Sequence, residues 1–459
     1  MFNIPKNVEN IISRLERGGF EAYAVGGCVR DRLLGREPKD WDVCTSARPE
    51  QVKDVFSGER IIDTGIKHGT VTLICEEAVE ITTFRLDGEY VDSRRPESVT
   101  FTSDIEADLA RRDFTVNAMA YSPRVGLVDP FGGEADLGKG IIRAVGKADE
   151  RFREDALRIL RALRFSAALG FEIEAETAAA MLERRHLISR ISAERVRDEL
   201  IKTLVGGRVY PLFIRFREIV AEIIPELRPC FDFGQQTIHH RYDVYEHIIH
   251  AVDGYDGEDA VIKLALLLHD IAKPAAYKFS NGSAHFKGHP ALGAKAADRI
   301  LRRLKLDNKT REAVRTLIMF HDVRLKGGMP QMLKLINIVG EENMARLFRV
   351  MRADQLAQSE YMRAEKLALL ARGEENFHIA MEKGLCRSIS DLKIDGGDVA
   401  ALGLKGRLIG SALTFAMNGV MNEKVENDKD KLLEYILKWG ELCAHNEIYS
   451  DSVRRDSAD

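Results

Sequence analysis

The sequence predicts an α+β fold, in which an N-terminal α/β head precedes a long, all-helical body. Two patterns support this prediction. The head contains β-branched, alternating stretches such as "AYAVG", "DWDVCT" and "GTVTLICEEAVEITTFRL", together with helix-like segments at 6–18 and 29–35. From residue 138 onward, after "VDPFGGEADLGKG", the spacing of apolar residues is almost wholly helical.

Changes in composition along the 459 residues predict four domains. These are the head at 1–137, a first helical segment at 138–230, a histidine-rich helical segment at 231–370 and a last helical segment at 371–459. Their hydrophobic content of 45% and charged content of 31% are ordinary for a globular protein.

The first residues, the apolar runs and the cysteines indicate the cellular compartment of the protein. The first residues lack the basic and apolar regions of a signal peptide, and no apolar run approaches the ~20 residues that span a membrane. The six cysteines are scattered without a CxxC pair, as expected for reduced thiols. We therefore expect a cytoplasmic protein without membrane contact.

A net charge of −4 does not indicate a nucleic-acid binder, but phosphate-binding charge is a local property. Arginines cluster at 94, 95, 111 and 112, and again between 151 and 164. Each cluster is either a solvated face or a phosphate-binding surface.

Two aspartates spaced by one residue lie in "DWDVCT". On a strand, Asp40 and Asp42 point to one side and Trp41 packs on the other. Adjacent carboxylates repel each other unless a cation lies between them, and their hard oxygen atoms suit Mg²⁺. Taken alone, the pair is explained equally well by a solvated strand edge.

The turn before this pair favours the metal site. Val25-Gly26-Gly27 end a strand, and "CVRDRLLG" begins a helix. Glycines at such a turn let a phosphate approach the backbone. Gly27 and Arg30 are therefore candidate ligands for a triphosphate held beside the metal, as phosphoryl transfer requires.

The stretch "RRDFTVNAMA" at 111–120 adds further polar side chains to the head. Asp113 is a candidate third carboxylate for the metal, and Arg112 is a candidate contact to phosphate or sugar. Asn117 is a candidate brace for this loop or for the incoming nucleotide.

Three motifs, in this order, resemble those of class II nucleotidyltransferases, the family of tRNA CCA-adding enzymes and bacterial poly(A) polymerases. They are "GGCVRD…KDWD", "RRDFTVNA" and "EDALRILRALRF", and the resemblance is strongest over residues 20–200. It implies a nucleotidyltransferase-type head. There, two Mg²⁺ ions held by Asp40 and Asp42, helped by Asp113, activate the primer 3′-hydroxyl and stabilise departing pyrophosphate.

The stretch "FREDALRILRALRF" is predicted to be one helix with Asp155 and Arg158 on the same face. A surface ion pair is one interpretation of this spacing. The other is base recognition, since cytosine and adenine both present an amine donor beside a ring-nitrogen acceptor. Uracil and guanine present the reverse pattern, so a carboxylate and an arginine can select CTP and ATP without a template.

The resemblance assigns this templating role to Asp155 and Arg158 and places Arg161 and Arg164 at further positions of the nucleotide pocket. Because three-residue steps drift around a helix, Arg164 is expected to contact phosphate or to be structural. The polar loop 85–101 matches a flexible element that CC-only relatives lack, which favours complete CCA addition.

Eight of the twelve histidines lie between residues 239 and 321, largely on predicted helices. Taken singly, each is more often structural than a ligand, but a charged pair at the end of the apolar run "LALLLHDIAKP" is costly to bury without a partner. Several such ligands can converge on one metal. The candidates are, in order, His247, His269, Asp270, His289, His321 and Asp354.

The order His247, His269-Asp270, Asp354 resembles the HD phosphohydrolase superfamily, so residues 231–370 are identified as an HD-type helical domain. The resemblance implies a second divalent metal held by these four residues. A metal-dependent hydrolase and a retained scaffold that helps to hold RNA both remain open.

The stretch "KIDGGDVAALGLKGRLIG" resembles the tail of bacterial CCA-adding enzymes. The resemblance implies that this last segment binds the tRNA body. The alternative is a packed helical cap.

The whole sequence therefore predicts Mg²⁺-dependent, template-independent addition and repair of the tRNA 3′-terminal CCA from CTP and ATP, without a stable protein partner. The alternatives are a poly(A) polymerase, a CC-adding or A-adding enzyme, and an HD phosphohydrolase with an RNA-binding head.

Overall fold

Nine strands lie in the described part of the N-terminal region, and apolar and polar residues alternate clearly in "AVEITT". In this computed structural model, which describes residues 4–66, 69–75, 78–88, 99–280 and 282–440, they are β1 (Ala22–Val25), β2 (Asp42–Thr45), β3 (Arg60–Gly65), β4 (Thr70–Ile74), β5 (Ala78–Thr83), β6 (Arg85–Asp87), β7 (Val99–Phe101), β8 (Ala120–Ser122) and β9 (Gly126–Val128).

Seven of these strands make one mixed sheet in the order β3-β4-β5-β2-β1-β8-β9. Only the β2–β5 pair is parallel, and its register places Asp42 beside Glu80. β6 and β7 pair separately. Residues 89–98 of the predicted loop 85–101, including Arg94 and Arg95, lie outside the described residues.

Five helices accompany the sheet, namely α1 (Lys6–Arg17), α2 (Gly27–Leu33), α3 (Pro49–Val55), α4 (Ile105–Ala110) and α5 (Gly133–Lys139). In α1 the buried residues Val8, Ile11, Ile12 and Leu15 recur at helical spacing and form one apolar face.

Six helices follow, namely α6 (Ala148–Glu154), α7 (Leu157–Leu169), α8 (Ala175–Arg184), α9 (Ala193–Val205), α10 (Val209–Arg215) and α11 (Arg217–Ile223). α7 packs along α9. The expected all-helical body is interrupted here, because β10 (Ile141–Ile142) pairs in parallel with β11 (Glu172–Ile173).

Beyond α11 the described residues are mainly helical, with one short antiparallel pair of strands, β12 (Lys278–Ser280) with β13 (Ser283–His285). A final helical segment covers 429–440. The other helices are α12 (Val244–Asp253), α13 (Ala260–Leu268), α14 (Lys273–Ala276), α15 (His289–Arg303), α16 (Asn308–Phe320), α17 (Met329–Val339), α18 (Glu341–Ala357), α19 (Arg363–Glu382), α20 (Gly396–Ala401) and α21 (Arg407–Met421).

The chain groups into two compact units. The head unit comprises Met1–Phe231, Asp256–Lys263 and Arg299–Asp307, and the helical unit comprises Asp232–Tyr255, Leu264–Asp298 and Asn308–Asp459. The predicted α+β class is confirmed, whereas the finer division into four domains stays a prediction. Within the described ranges, no helix combines the length and apolarity needed to cross a membrane.

Candidate active site and metal centre

The turn between β1 and α2 has a backbone that favours glycine. Gly26 has φ 81° and ψ −127°, a region that is open essentially only to glycine. A Cβ atom at this position would lie 3.0 Å from Nη1 of Arg112. The missing side chain therefore lets the Arg112 guanidinium reach the turn.

A cavity of about 430 Å³ opens beside this turn in the head unit. The predicted site residues that line it are Gly27, Arg30, Asp42, Arg112, Asp113, Asn117, Asp155, Arg158 and Arg161. Other lining residues are Gly26, Arg111, Leu157, Phe165 and Arg195. Asp40 and Arg164 are not among the lining residues.

The aspartate pair lies at the start of β2. Asp42 is the first residue of β2 and Asp40 precedes the strand, so the prediction that both aspartates lie on the strand holds for Asp42 alone. Trp41 is buried, as expected. The protein around Asp42 removes water from its carboxylate, and Glu80 and Asp40 repel its charge, so that its pKa is raised although Arg112 opposes the shift. A cation would relieve this repulsion.

Asp113 is engaged through both oxygens. Oδ1 accepts hydrogen bonds from the Phe114 backbone N–H (2.8 Å) and from Asn117 Nδ2 (3.2 Å), and Oδ2 accepts one from Arg161 Nε (2.6 Å). Burial would raise the pKa of Asp113, but Arg161 and Asn117 outweigh it and the pKa is lowered.

With these partners Asp113 holds its own loop and Arg161, and its role as a third metal ligand stays a prediction. In the described part of the chain, Asp40, Asp42 and Asp113 do not form a three-ligand cluster. The acidic residue beside Asp42 in the sheet is instead Glu80. Sequence reasoning missed it, although "AVEITT" carries a lone glutamate in an alternating strand.

Beside the cavity, three arginine side chains pack against one aromatic ring. Arg30 Nη1 donates to Asn117 Oδ1 at 2.6 Å. The guanidinium carbons of Arg30, Arg161 and Arg164 lie 5.3, 5.2 and 4.3 Å from the centre of the Phe165 ring. Phe165 was not predicted as a site residue, yet such cation–π contacts help to fix the arginines.

The stretch predicted as one helix is two helices. α6 ends at Glu154, Asp155 is extended with φ −135° and ψ 102°, and α7 begins at Leu157. The physical reason lies in the side chain of Asp155, whose Oδ1 accepts a hydrogen bond from the Leu157 backbone N–H at 3.0 Å. An aspartate that satisfies such a free N–H stabilises a new helix start.

Asp155 and Arg158 have separate partners, which contradicts the interpretation of a mutual surface ion pair. Asp155 Oδ2 accepts from Arg195 Nη2 at 2.9 Å. Arg158 donates to Glu154 Oε2 and to the Arg111 carbonyl oxygen, both at 2.7 Å. Both side chains nevertheless line the cavity.

Arg164 pairs with buried Glu199 at 3.1 Å, in keeping with the structural role considered for it. Burial and the nearby charge of Arg161 lower the pKa of Arg164.

A second cluster lies in the helical unit. His247 Nε2 is 3.0 Å from Asp354 Oδ1 and 3.2 Å from Asp270 Oδ2, and His269 Nε2 is 3.3 Å from the same Asp270 oxygen. These four predicted residues are buried, and their ligand atoms lie within 4.8 Å of one another, as a metal site requires.

A second ligand set shares Asp270. His289 Nε2 and His321 Nε2 lie 3.2 and 3.6 Å from Asp270 Oδ1, and both histidines are buried. Sequence reasoning named these two histidines without assigning them to the site. It also placed the ligands largely on helices, whereas His269 and His321 follow the last residues of α13 and α16, Leu268 and Phe320.

The backbone fixes the tautomers of three of these histidines. Nδ1 of His269, His289 and His321 lies 2.7–2.8 Å from a backbone carbonyl oxygen three residues earlier. A carbonyl only accepts, so each Nδ1 donates and each Nε2 is left to bind a cation.

The positive charges around Asp270 keep its carboxylate ionised. Burial would raise its pKa, but His269 and Lys273 outweigh it and hold the pKa well below the usual range. Both of its oxygens are buried and lack a well-aligned hydrogen bond within the described residues, although Lys273 Nζ lies 2.7 Å from Oδ2. An ionised, buried carboxylate in this state fits a metal ligand.

The cluster opens into a cavity of about 720 Å³. Its lining includes the cationic side chains of Lys273, Lys287, Arg324 and Lys366. These charges suit an anionic ligand.

Comparison with known proteins matches three segments of the chain to families. Residues 22–143 match the poly A polymerase head domain, residues 170–230 match the probable RNA and SrmB-binding site of polymerase A, and residues 290–436 match the putative tRNA nucleotidyltransferase domain 2.

Among curated relatives, the CCA-adding enzyme of Geobacillus kaustophilus is 52% identical over 197 residues, which cover 43% of this chain and 48% of the relative. That of Lactobacillus gasseri is 51% identical over 193 residues, covering 42% and 48%. The chain thus spans about half the length of the curated relatives that it matches.

Among solved structures, the Bacillus stearothermophilus CCA-adding enzyme in complex with CTP is 30% identical, with a TM-score of 0.73, and the match covers 95% of this chain and 98% of that chain. The Thermotoga maritima CCA-adding enzyme complexed with tRNA shares the fold at 20% identity, with a TM-score of 0.59 and coverage of 95% and 96%.

Proposed function

Because this chain belongs to the family of CCA-adding enzymes, we propose that it adds and repairs the 3′-terminal CCA of tRNA, using CTP and ATP without a nucleic-acid template. The supporting observation is the head cavity. The glycine turn, Asp42 of the aspartate pair and the base-reading side chains Asp155 and Arg158 all line this one space.

The donor set at the start of β2 fits Mg²⁺, because carboxylate oxygens are its preferred protein ligands. Asp40 and Asp42 are the residues that would hold the ion, with Glu80 beside them in register. When bound, Mg²⁺ supplies charge stabilisation to phosphoryl oxygens.

The arginine side chains bind the triphosphate in this proposal. Arg30 and Arg112 lie beside the Gly26-Gly27 turn, so their guanidiniums can meet phosphate oxygens that approach the backbone. Asn117 and Asp113 hold Arg30 and Arg161 in place through the hydrogen bonds described above.

In this proposal, two side chains select the base: Asp155, between α6 and α7, and Arg158, near the start of α7. Asp155 accepts a hydrogen bond from the exocyclic amine of cytosine or adenine, and Arg158 donates to the neighbouring ring nitrogen. Uracil and guanine leave both protein groups mispaired, and sites of this kind discriminate strongly.

The decisive experiment supplies the purified protein with Mg²⁺, CTP and ATP, and with tRNAs that end before CCA, after C and after CC. We expect stepwise completion to CCA and then arrest, as read by sequencing of the 3′ ends. Asp42→Asn should abolish addition, whereas Asp54→Asn, at an exposed aspartate of α3, should not.

Other products would contradict the proposal in distinct ways. A lengthening A tract identifies a poly(A) polymerase, and addition confined to C or to A identifies a partial enzyme. If no nucleotide is added at all, the proposed activity of the head is wrong, and the helical unit is the part of the chain to test next.

We also propose that the helical unit binds divalent metal through His247, His269, Asp270 and Asp354, and hydrolyses phosphate esters there. His289 and His321 supply further ligands around the shared Asp270. The supporting observation is the convergence of four histidine Nε2 atoms on two buried carboxylates. The cationic cavity beside them suits a phosphate ester.

Metal analysis by mass spectrometry after dialysis tests this second proposal. The wild type should retain divalent metal in the helical unit and hydrolyse bis-p-nitrophenyl phosphate, and Asp270→Asn should lose both. His378→Gln alters an exposed histidine of α19 and should behave as wild type. Equal metal content and equal hydrolysis in the wild type and in Asp270→Asn would contradict this second proposal.

A further inference from the structure

We infer that Arg195, on α9, is a positioning residue that sets the nucleotide selectivity of Asp155; the inference rests on the function proposed above. Each oxygen of the Asp155 carboxylate has its own donor. Oδ1 accepts from the Leu157 backbone N–H at 3.0 Å, and Oδ2 accepts from Arg195 Nη2 at 2.9 Å. Two donors on opposite oxygens fix the plane of the carboxylate.

The helix that carries Arg195 is itself held firmly against α7. Arg195 and Glu199 are four residues apart on α9 and therefore share a face. Glu199 pairs with Arg164 on α7 at 3.1 Å, and its side chain is only 6% exposed. The ion pairs of Arg195 with Asp155 and of Glu199 with Arg164 thus set the position of α9 relative to the base-reading carboxylate.

A fixed carboxylate discriminates because it cannot turn away from a wrong base. Cytosine and adenine place an amine donor at the position where uracil and guanine place a carbonyl oxygen. A rigid carboxylate must then face that oxygen without a donor, which leaves both groups unpaired. If Arg195 is removed, Oδ2 loses its anchor, and the carboxylate can rotate to escape the mismatch.

The second base-reading group does not depend on Arg195. Arg158 is held by Glu154 and by the Arg111 carbonyl oxygen. Loss of Arg195 should therefore relax selection at the amine position and leave the arginine contact in place. Correct nucleotides should be bound almost as before, and wrong ones should be bound better.

Equilibrium dialysis of radiolabelled CTP and UTP against the full-length protein with Mg²⁺ tests the inference. In Arg195→Gln the ratio of UTP to CTP dissociation constants should fall about tenfold, the size expected for one charge-assisted hydrogen bond. Arg195→Lys should restore part of the ratio. Glu194→Gln, at the exposed neighbouring position, should leave it unchanged.

A double-mutant cycle shows whether Arg195 acts through Asp155. In an Asp155→Ala background, Arg195→Gln should cause no further change in the ratio. A change that persists there would overturn the inference, as would equal weakening of CTP and UTP in Arg195→Gln or a wild type without preference for CTP.

The two proposals fail in different assays. A wild type that prefers CTP in dialysis but adds no nucleotide to tRNA contradicts the proposed function alone. An unchanged dissociation-constant ratio in Arg195→Gln contradicts the role of Arg195, whatever the tRNA assay shows.

Discussion

Asp108 illustrates how one buried side chain shapes the head cavity at the scale of a single residue. It is fully buried and accepts hydrogen bonds from Arg111 Nη2 at 2.7 Å and Arg112 Nη2 at 3.2 Å. Burial would raise the pKa of Asp108, but Arg112 and Arg111 outweigh it, and the pKa is lowered. Since the Arg111 carbonyl oxygen in turn holds Arg158, this carboxylate supports two of the arginines that line the cavity, Arg112 and Arg158.

Asp108→Asn should lower the free energy of unfolding of the head unit by about 3 kcal/mol at pH 7, because two guanidiniums lose their buried counter-charge. The Asp108 pKa is lower in the folded than in the unfolded protein, so the stabilisation is complete above about pH 4. It is lost as pH falls through the folded pKa. Urea unfolding, followed by Trp41 fluorescence in a Trp439→Phe background, measures the difference at several pH values.

The exposed pair of Lys53 and Asp63 provides the control, and Asp63→Asn should change stability by less than about 1 kcal/mol. If the free energies of unfolding of the wild type and Asp108→Asn differ by the same amount at pH 3 and at pH 7, charge pairing is not the source of the difference.

Residue identities at the site were more predictable than residue partners. Charged residues in short motifs marked Asp42, Arg112, Asp155 and Arg158, and all four line the head cavity. Arg195, which holds Asp155, lies 40 residues further along the chain. No local spacing connects two such positions, because only the packing of α7 against α9 brings them together.

Among the elements, the turn between β1 and α2 combines two constraints in one glycine. The backbone of Gly26 requires positive φ, and the guanidinium of Arg112 occupies the space where a side chain would begin. Gly35 also has positive φ, 71°, but an added Cβ atom there would meet nothing within 4 Å. A substitution at Gly35 therefore tests backbone strain alone, whereas one at Gly26 tests backbone strain together with crowding of Arg112.

Gly35→Ala should cost about 1 kcal/mol of stability and leave nucleotide binding unchanged, because it adds strain alone. Gly26→Ala should cost about 2 kcal/mol or more, since its backbone region is nearly closed to other residues. It should also weaken CTP binding at least tenfold by displacing Arg112. Calorimetric titration with CTP and urea unfolding measure the two effects, and equal CTP affinities in the two variants would rule out the crowding.

The break between α6 and α7 shows where element prediction fails. "FREDALRILRALRF" contains good helix formers throughout, and helix propensity alone favours one continuous helix. The break depends on the Asp155 side chain, which satisfies the Leu157 N–H and is held from α9. The strands, in contrast, were predicted from alternation that depends on the local sequence alone.

At the scale of the whole molecule, the sequence predicted a head followed by a helical body, and the fold class is confirmed. The histidine-rich order also predicted four buried neighbours. It did not assign His289 and His321 to Asp270, because the start of α15 and the end of α16 meet at that carboxylate only through the tertiary fold. The number of candidate ligands around Asp270 is therefore a property of the helical unit as a whole.

Bound metal should stabilise the helical unit, because the two candidate ligand sets that share buried Asp270 lose their bound cation when metal is removed. At a metal concentration one hundred times the dissociation constant, binding contributes about 2.7 kcal/mol, which corresponds to about 5 °C in Tm for a unit of this size. EDTA should therefore lower Tm by about 5 °C, as followed by Trp439 fluorescence in a Trp41→Phe background. In Asp270→Asn, Tm should be insensitive to EDTA, because the residue common to both ligand sets is gone, whereas His378→Gln should respond as wild type. If EDTA leaves the wild-type Tm unchanged, the six side chains are held together by hydrogen bonds and ion pairs alone, and the helical unit serves as a scaffold.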